Sequence, residues 1–361
     1  MKKFTTTLFC LLLFSFYANS QGCIAIRNLT GFGQFSLPEY NEEPIKWLVN
    51  VNTRYSEFDN VYQGSEEVPT APEDGPYSST YILDFAITRN FDKGWSMTID
   101  VPFMAASRET YQEHGGPSGD HVKHTTSSWG IGDIRVTAYK WLFDVTKPHR
   151  GNVQVGLGLK LPTGDYRYQD YFYKTTGKVL APVNPTVQLG DGGTGISTEI
   201  NAFYTLTSKA SLYGNIFYLI SPRDQNGTST TTGNPANANQ IAATQDVTSV
   251  PDAFSMRGGA NYTLGDLVIW GGVRFEGSPV EDFIGSSNGQ RRAGYSVSVE
   301  PGVNYKFKKS TIFAFVPIPL YRTINQTVAD QRYAELAGMP DFHSRGGMPE
   351  YLIFLGVLFK M

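Results

Sequence analysis

The sequence predicts an all-β chain closed into an antiparallel transmembrane β-barrel of about twelve strands, with short periplasmic turns and long extracellular loops. Three observations predict it. Segments of roughly 9–11 residues alternate apolar and polar side chains, the period and length of a strand tilted across a bilayer. The connections between them are alternately short and long. After the first twenty residues no apolar run approaches the roughly eighteen residues that a helical span needs. Composition agrees: only 17% of the 361 residues are charged, while 37 glycines, 21 tyrosines and 23 phenylalanines suit a sheet protein with long loops.

Residues 1–20 carry Lys2 and Lys3, an apolar run from Leu8 to Tyr17 and then Ala18-Asn19-Ser20, the small-x-small form that a secretory peptidase cuts. They are read as a signal peptide, with Gln21 as the mature N-terminus. Cys10 leaves with it, so Cys23 has no partner and the cystine-stapled scaffolds are excluded. Cys23 also lacks an apolar residue three positions before it, against lipidation. Residues 21–44 precede the first strand on the periplasmic side and form either a plug inside the barrel or a loose leader; residues 45–361 form the barrel.

Period-two patterning places strands near residues 45–56, 78–89, 94–104, 129–140, 151–161, 195–205, 210–220, 253–263, 266–276, 294–305, 310–321 and 350–360. The connections at 90–93, 143–150, 207–209, 264–265 and 306–309 are short. Those at 57–77, 105–128, 162–194, 221–252, 277–293 and 322–349 are long, and the two kinds alternate throughout. A barrel of the bacterial outer membrane sorts its connections in this way. A soluble sandwich has no reason to, and long structureless loops count against it.

The fifth segment tests the reading. "GNVQVGLGLKLPTGDY", residues 151–166, contains a G-x-G and a lysine, but Leu161 and Pro162 follow Lys160 and no helical pattern comes after, so the phosphate-cradle pattern fails. Val153, Val155, Leu157, Leu159 and Leu161 share one parity; Gln154, Gly156, Gly158 and Lys160 share the other. That is a strand with an apolar outer face and a small, polar inner one. Other segments repeat it: Trp47, Val49 and Val51 oppose Asn50, Asn52 and Arg54, and Val297, Val299 and Val303 oppose Ser298, Glu300 and Asn304. An Arg or Lys on the lipid face would cost about 2–4 kcal/mol at midplane, so the charged parity must turn inward. The lumen-lining candidates are Arg54, Asp84, Asp100, Asp133, Arg135, Lys160, Glu199, Arg257, Arg274 and Glu300. Such residues set the field of a wet channel or brace its wall in cross-strand pairs. Phe203 and Tyr213 are bulky members of the inward parity. Trp47, Tyr55, Trp95, Phe103, Tyr139 and Trp141, near segment ends, are expected in the interfacial belts.

The last strand, "EYLIFLGVLFK", ends close to the chain terminus with an aromatic at Phe359, the form that barrel-assembly machinery engages. "WGIGDIRVTAYKWLF" (129–143), "VGLGLKLPTGDY" (155–166) and "LGDGGTGIST" (189–198) resemble the outer-membrane barrel family named for the meta-pathway of phenol degradation. The resemblance spans about the middle third of the chain and implies a transporter or porin-like barrel for small, often hydrophobic or aromatic compounds. The inserted Asp191-Gly192-Gly193 departs from that family's simpler Leu-Gly-x-Gly form.

His114, His121 and His124 lie in one long loop with Asp120 nearby, a set with metal-ligand chemistry, yet a surface loop accounts for them and no metal or cofactor is expected. Neither His149 nor His343 lies in a strand near a suggestive serine, so a membrane lipid hydrolase is disfavoured and no enzyme activity is expected. Net charge of -3 without basic blocks excludes nucleic acid as a partner. The expectation is a passive channel of the cell outer membrane, whose partners are membrane lipid and small-molecule solutes. The alternative is a surface-binding or structural barrel without an open pore.

Overall fold

The computed structural model describes residues 45–69, 75–115, 122–147 and 149–361. The signal peptide and the N-terminal segment expected at 1–44 lie outside the described residues, as do Asp120 and His121. Twelve strands run up and down: β1 (Trp47–Phe58), β2 (Tyr77–Asn90), β3 (Trp95–Thr110), β4 (His124–Ile131 and Arg135–Trp141), β5 (Gly151–Lys160) and β6 (Gly195–Thr205). They continue as β7 (Ala210–Ile220), β8 (Ala253–Leu264), β9 (Leu267–Ser278), β10 (Gly294–Val299 and Gly302–Lys306), β11 (Ser310–Phe315 and Ile318–Ile324) and β12 (Tyr351–Lys360). Each pairs antiparallel with the next, and β12 returns to β1 with Val357 opposite Val51, so the sheet is closed and has no edge.

Strands β4, β10 and β11 are interrupted, where the sequence predicts one continuous segment each. In β4 the break falls at Gly132-Asp133-Ile134, opposite Pro102 of β3, whose missing N–H cannot serve a ladder. Thr163 fills the break: its Oγ1 donates to the Gly132 carbonyl at 2.7 Å and accepts from Ile134 N at 2.9 Å. Pro301 and Pro317 mark the breaks in β10 and β11.

The outer surface is apolar. Leu83, Phe85, Ile87, Ile99, Leu157, Ile200, Ile216, Ile269, Ile353 and Leu355 all face out and are exposed. No soluble fold leaves so continuous a band uncovered; a bilayer covers it. The inner face holds the buried charges and amides, so the alternation assigned from sequence is the alternation of the wall.

Two aromatic assignments are corrected. Tyr139 and Trp141 were expected in an interfacial belt, but both take the inward parity of Arg135: the Tyr139 hydroxyl donates to Glu199 at 2.8 Å, and Trp141 packs edge-on against Phe203. Position near a strand end suggested the belt, whereas parity decides the face. Trp47, Trp95 and Phe103 are exposed on the outside as expected.

The extracellular loops pack into a cap. The connection after β5 contains a hairpin, Gln169–Lys174 with Gly177–Pro182. That after β7 carries a short helix, α1 (Ala238–Ala242), and that after β11 carries α2 (Val328–Ala337). A capping box from Thr327 and Asp330 starts α2, and Gly338 at φ +64 ends it. Asp330 also accepts from Gln245 at 2.9 Å, tying the two loops together. Within the loop after β9, Arg291 binds Asp282 in a buried bidentate pair of 2.6 and 2.5 Å.

Candidate functional site in the barrel interior

All ten inward candidates are buried. The structure gathers most of them into three groups. In the first, Arg257 Nε donates to Glu300 at 2.8 Å and Nη2 pairs with the same carboxylate at 2.7 Å. Arg274 approaches the same carboxylate at 3.8 Å and binds Glu276 at 2.7 Å, and Tyr213 adds a hydroxyl to Glu300 at 3.2 Å. This chain ties β8, β9 and β10 together across the break at Pro301. Removing one member would strand the other's charge, which costs about 3–5 kcal/mol in buried pairs.

In the second, Glu199 of β6 accepts from Tyr139 at 2.8 Å, Asn201 at 3.2 Å and Asn215 at 3.1 Å, and Arg135 of β4 stands 3.6 Å from it. At the mouth, Lys160 bonds Asp191 and reaches Asp133 at 3.5 Å. Asp133 also accepts from Gly164 N at 3.0 Å and Asp191 N at 3.3 Å, so one carboxylate in the β4 break anchors both ends of the loop after β5. Arg54, Asp84 and Asp100 lie on β1, β2 and β3, with the Arg54 guanidinium 5.7 Å above the Phe354 ring.

Toward the periplasmic end an aromatic cluster fills much of the interior: Tyr213, Trp270, Phe313, Phe315 and Phe354 with Leu352. Phe315 and Phe354 stack at 4.3 Å, and Trp270 meets Tyr213 edge-on at 5.9 Å. Arg257 lies 5.3 Å over Phe315 and Arg274 5.6 Å over Phe354, so the guanidinium groups cap the aromatic layer. Glycines make room for these rings: a Cβ at Gly302 would collide with Trp270 and one at Gly356 with Phe313. Gly156, read from sequence as lumen-facing, sits under Tyr139, where a Cβ would lie 2.6 Å from the ring.

Above this layer lies a cavity of about 130 Å³. Its wall mixes Arg54, Asp100, Arg135 and Lys160 with Ile82, Met104, Phe217, Leu219 and Leu352. Its roof is the loop after β5, whose Thr186, Gln188, Gly190 and Asp191 turn inward. Ser128 of β4 donates to the Val187 carbonyl, and Gln188 bonds back to Val183 at 2.9 Å and Tyr168 at 3.4 Å, which fixes the roof. Gly192, at φ +77 beside the Tyr166 ring, allows the return to β6. The Asp191-Gly192-Gly193 insertion therefore supplies Lys160's partner and the turn that follows it.

Asp191 and, apart from Tyr213, the aromatic layer are the interior groups that sequence reasoning does not single out. Inward parity would have found Trp270, Phe313 and Phe354; nothing local marks Asp191, a loop residue brought to the wall by the fold. The histidines form no metal centre among the described residues. Instead His114 is buried against Phe172, and His124 stacks on Tyr173 at 4.2 Å.

An outer-membrane channel from Pseudomonas putida F1 superimposes with a TM-score of 0.57 over 90% of this chain and 99% of that one, at 12% identity. The barrel has the fold of an outer-membrane channel. A mutant of the monoaromatic hydrocarbon channel TodX (TM-score 0.42, 8% identity, 88% of this chain and 91% of that one) and the β domain of the Bordetella autotransporter BrkA (0.43, 10%, 88% and 100%) align too loosely to carry an argument. No family model matches the sequence. No curated protein matches it either.

Proposed function

We propose that this barrel is a passive diffusion channel of the outer membrane for small solutes with apolar or aromatic bodies. The observation that carries this reading is the cavity under the loop after β5: a space of about 130 Å³ inside a closed wall, lined by both apolar and charged side chains. Buried charges of this number need water or partners, which favours a wet interior. Twelve strands lie between the eight-stranded barrels filled by side chains and the 16–18-stranded porins with open channels. The aromatic layer below the cavity narrows the path further, so small steady currents are expected rather than large porin-like steps. The resemblance of residues 129–143, 155–166 and 189–198 to the phenol-degradation outer-membrane family supports a hydrophobic or aromatic cargo. The inward charges set selectivity where they meet the cavity and brace the wall elsewhere. The chain's interior is not read as catalytic, and β12, which closes the barrel against β1, is read as the strand that barrel-assembly machinery engages.

Purified protein in planar bilayers and swelling liposomes tests this. Folded, heat-resistant barrel should pass ions and small solutes. Folded barrel that passes neither ions nor small polar or aromatic solutes would overturn the channel reading and leave a surface-binding barrel without an open pore.

A further inference from the structure

Arg135 is buried to 3% exposure, yet no acceptor meets its Nε and Nη1 hydrogens. Its ion pair with Glu199 is long, 3.6 Å, and both Glu199 oxygens already accept from neutral donors, Tyr139 on one side and Asn201 and Asn215 on the other. Asp100 stands opposite Arg135 in the β3–β4 register, but no hydrogen bond or ion pair joins them. The other carboxylates around the cavity are engaged: Asp133 and Asp191 with Lys160, Glu276 with Arg274. A guanidinium is a planar fork of donors matched to a carboxylate, and a buried fork without an acceptor is costly. Beside it the wall is apolar: Phe217, whose ring lies 5.3 Å from the Arg135 guanidinium carbon, with Leu219, Ile82 and Met104.

We propose that this cavity is a binding site for small monocarboxylates with an aromatic or short aliphatic body, the carboxylate meeting Arg135 and the body lying along Phe217 and Leu219. At about 130 Å³ the cavity is of the order of the one of about 150 Å³ that holds benzene, which limits the body to a single small ring or a short chain, with the carboxylate at the polar end. The arrangement also leaves Glu199 held when Arg135 is changed, because its three neutral donors remain. The inference rests on the channel reading and specifies its cargo.

The probe is benzoate, with benzamide as its neutral isostere and acetate as the acid without a ring, each added on the loop side of a bilayer containing the full-chain barrel. Benzoate should block ion current at concentrations about tenfold lower than benzamide or acetate, the worth of a hydrogen-bonded charge pair or of a buried ring. Arg135→Gln should remove the preference for benzoate over benzamide, and Arg135→Lys, which keeps the charge without the fork, should retain only part of it. Heat-resistant migration of both variants on gels establishes that they fold. Ion current with equal block by benzoate and benzamide, or an unchanged preference in folded Arg135→Gln, overturns this inference and leaves the channel intact. No ion current from folded wild-type barrel overturns the channel reading and this inference with it.

Discussion

At the scale of single residues, the sharpest contrast is between side chains that look alike in sequence and behave differently in place. His114 and His124 share one loop, but the backbone N–H of Tyr173 donates to His114 Nδ1 at 3.0 Å, and this bond holds the Gln169–Pro182 hairpin against the loop after β3. Burial, then the neighbouring His124 and Lys174, push the His114 imidazole down to about 4 from an ordinary 6.5, against the opposing pull of Glu113 and Asp170. A histidine depressed in the folded state is neutral there, so the opened loop binds more protons between those two values. The contact is therefore at full strength above about pH 6.5 and is lost as pH falls toward 4. Protonation also removes the Nδ1 lone pair that Tyr173 uses. Hydrogen exchange at the Tyr173 amide, corrected for intrinsic rate, should lose protection across this window, and His114→Gln should flatten the dependence. Protection that stays constant from pH 6.5 to 4 in the wild type would contradict it.

At the scale of elements, the sorting of connections assigns two ends to the molecule. The β8–β9 turn spans only Gly265 and Asp266, and Gly265 takes φ +65 as a tight two-residue turn requires. At the other end, the loop after β7 holds a hairpin and α1. In a Cys23→Ser background, Asn234→Cys should react with a membrane-impermeant thiol reagent on intact cells. Asp266→Cys should react only after the outer membrane is opened. Labelling in the reverse order would invert the topology. The strand interruptions belong to this scale as well. The alternation reverses across the break in β4: Trp129 and Ile131 face out from odd positions before it, whereas Arg135, Thr137 and Tyr139 face in from odd positions after it, because four residues of β4 span three of β3. The extra residue falls opposite Pro102 of the neighbouring strand, and Thr163 of the next loop bonds across the gap.

For the whole molecule, the decisive arrangement is a roof above a cavity above an aromatic layer. The Gln169–Pro182 hairpin holds that roof from outside: Lys174 donates to the Glu113 carbonyl at 2.6 Å and Asp170 accepts from Ser127 N at 2.9 Å. Replacing residues 169–182 with a short Gly-Ser link should leave a heat-resistant barrel, because the closed sheet does not depend on the hairpin, and should raise single-channel conductance. Unchanged conductance would locate the narrowest point in the aromatic layer instead. The twelve-strand barrel, the inward set from Arg54 to Glu300 and the long and short ends are legible in the chain alone, because alternation and loop length are local and a bilayer rewards one face alone. Which inward charges meet was decided by the closed wall: Arg257 reaches Glu300 across β8 and β10, residues 43 positions apart, while Arg135 stands 3.6 Å from Glu199 and lines the cavity. Asp191 reaches Lys160 only because the loop after β5 folds back over the lumen. Such pairings depend on strand register, curvature and loop path together, and no local pattern in the chain encodes them.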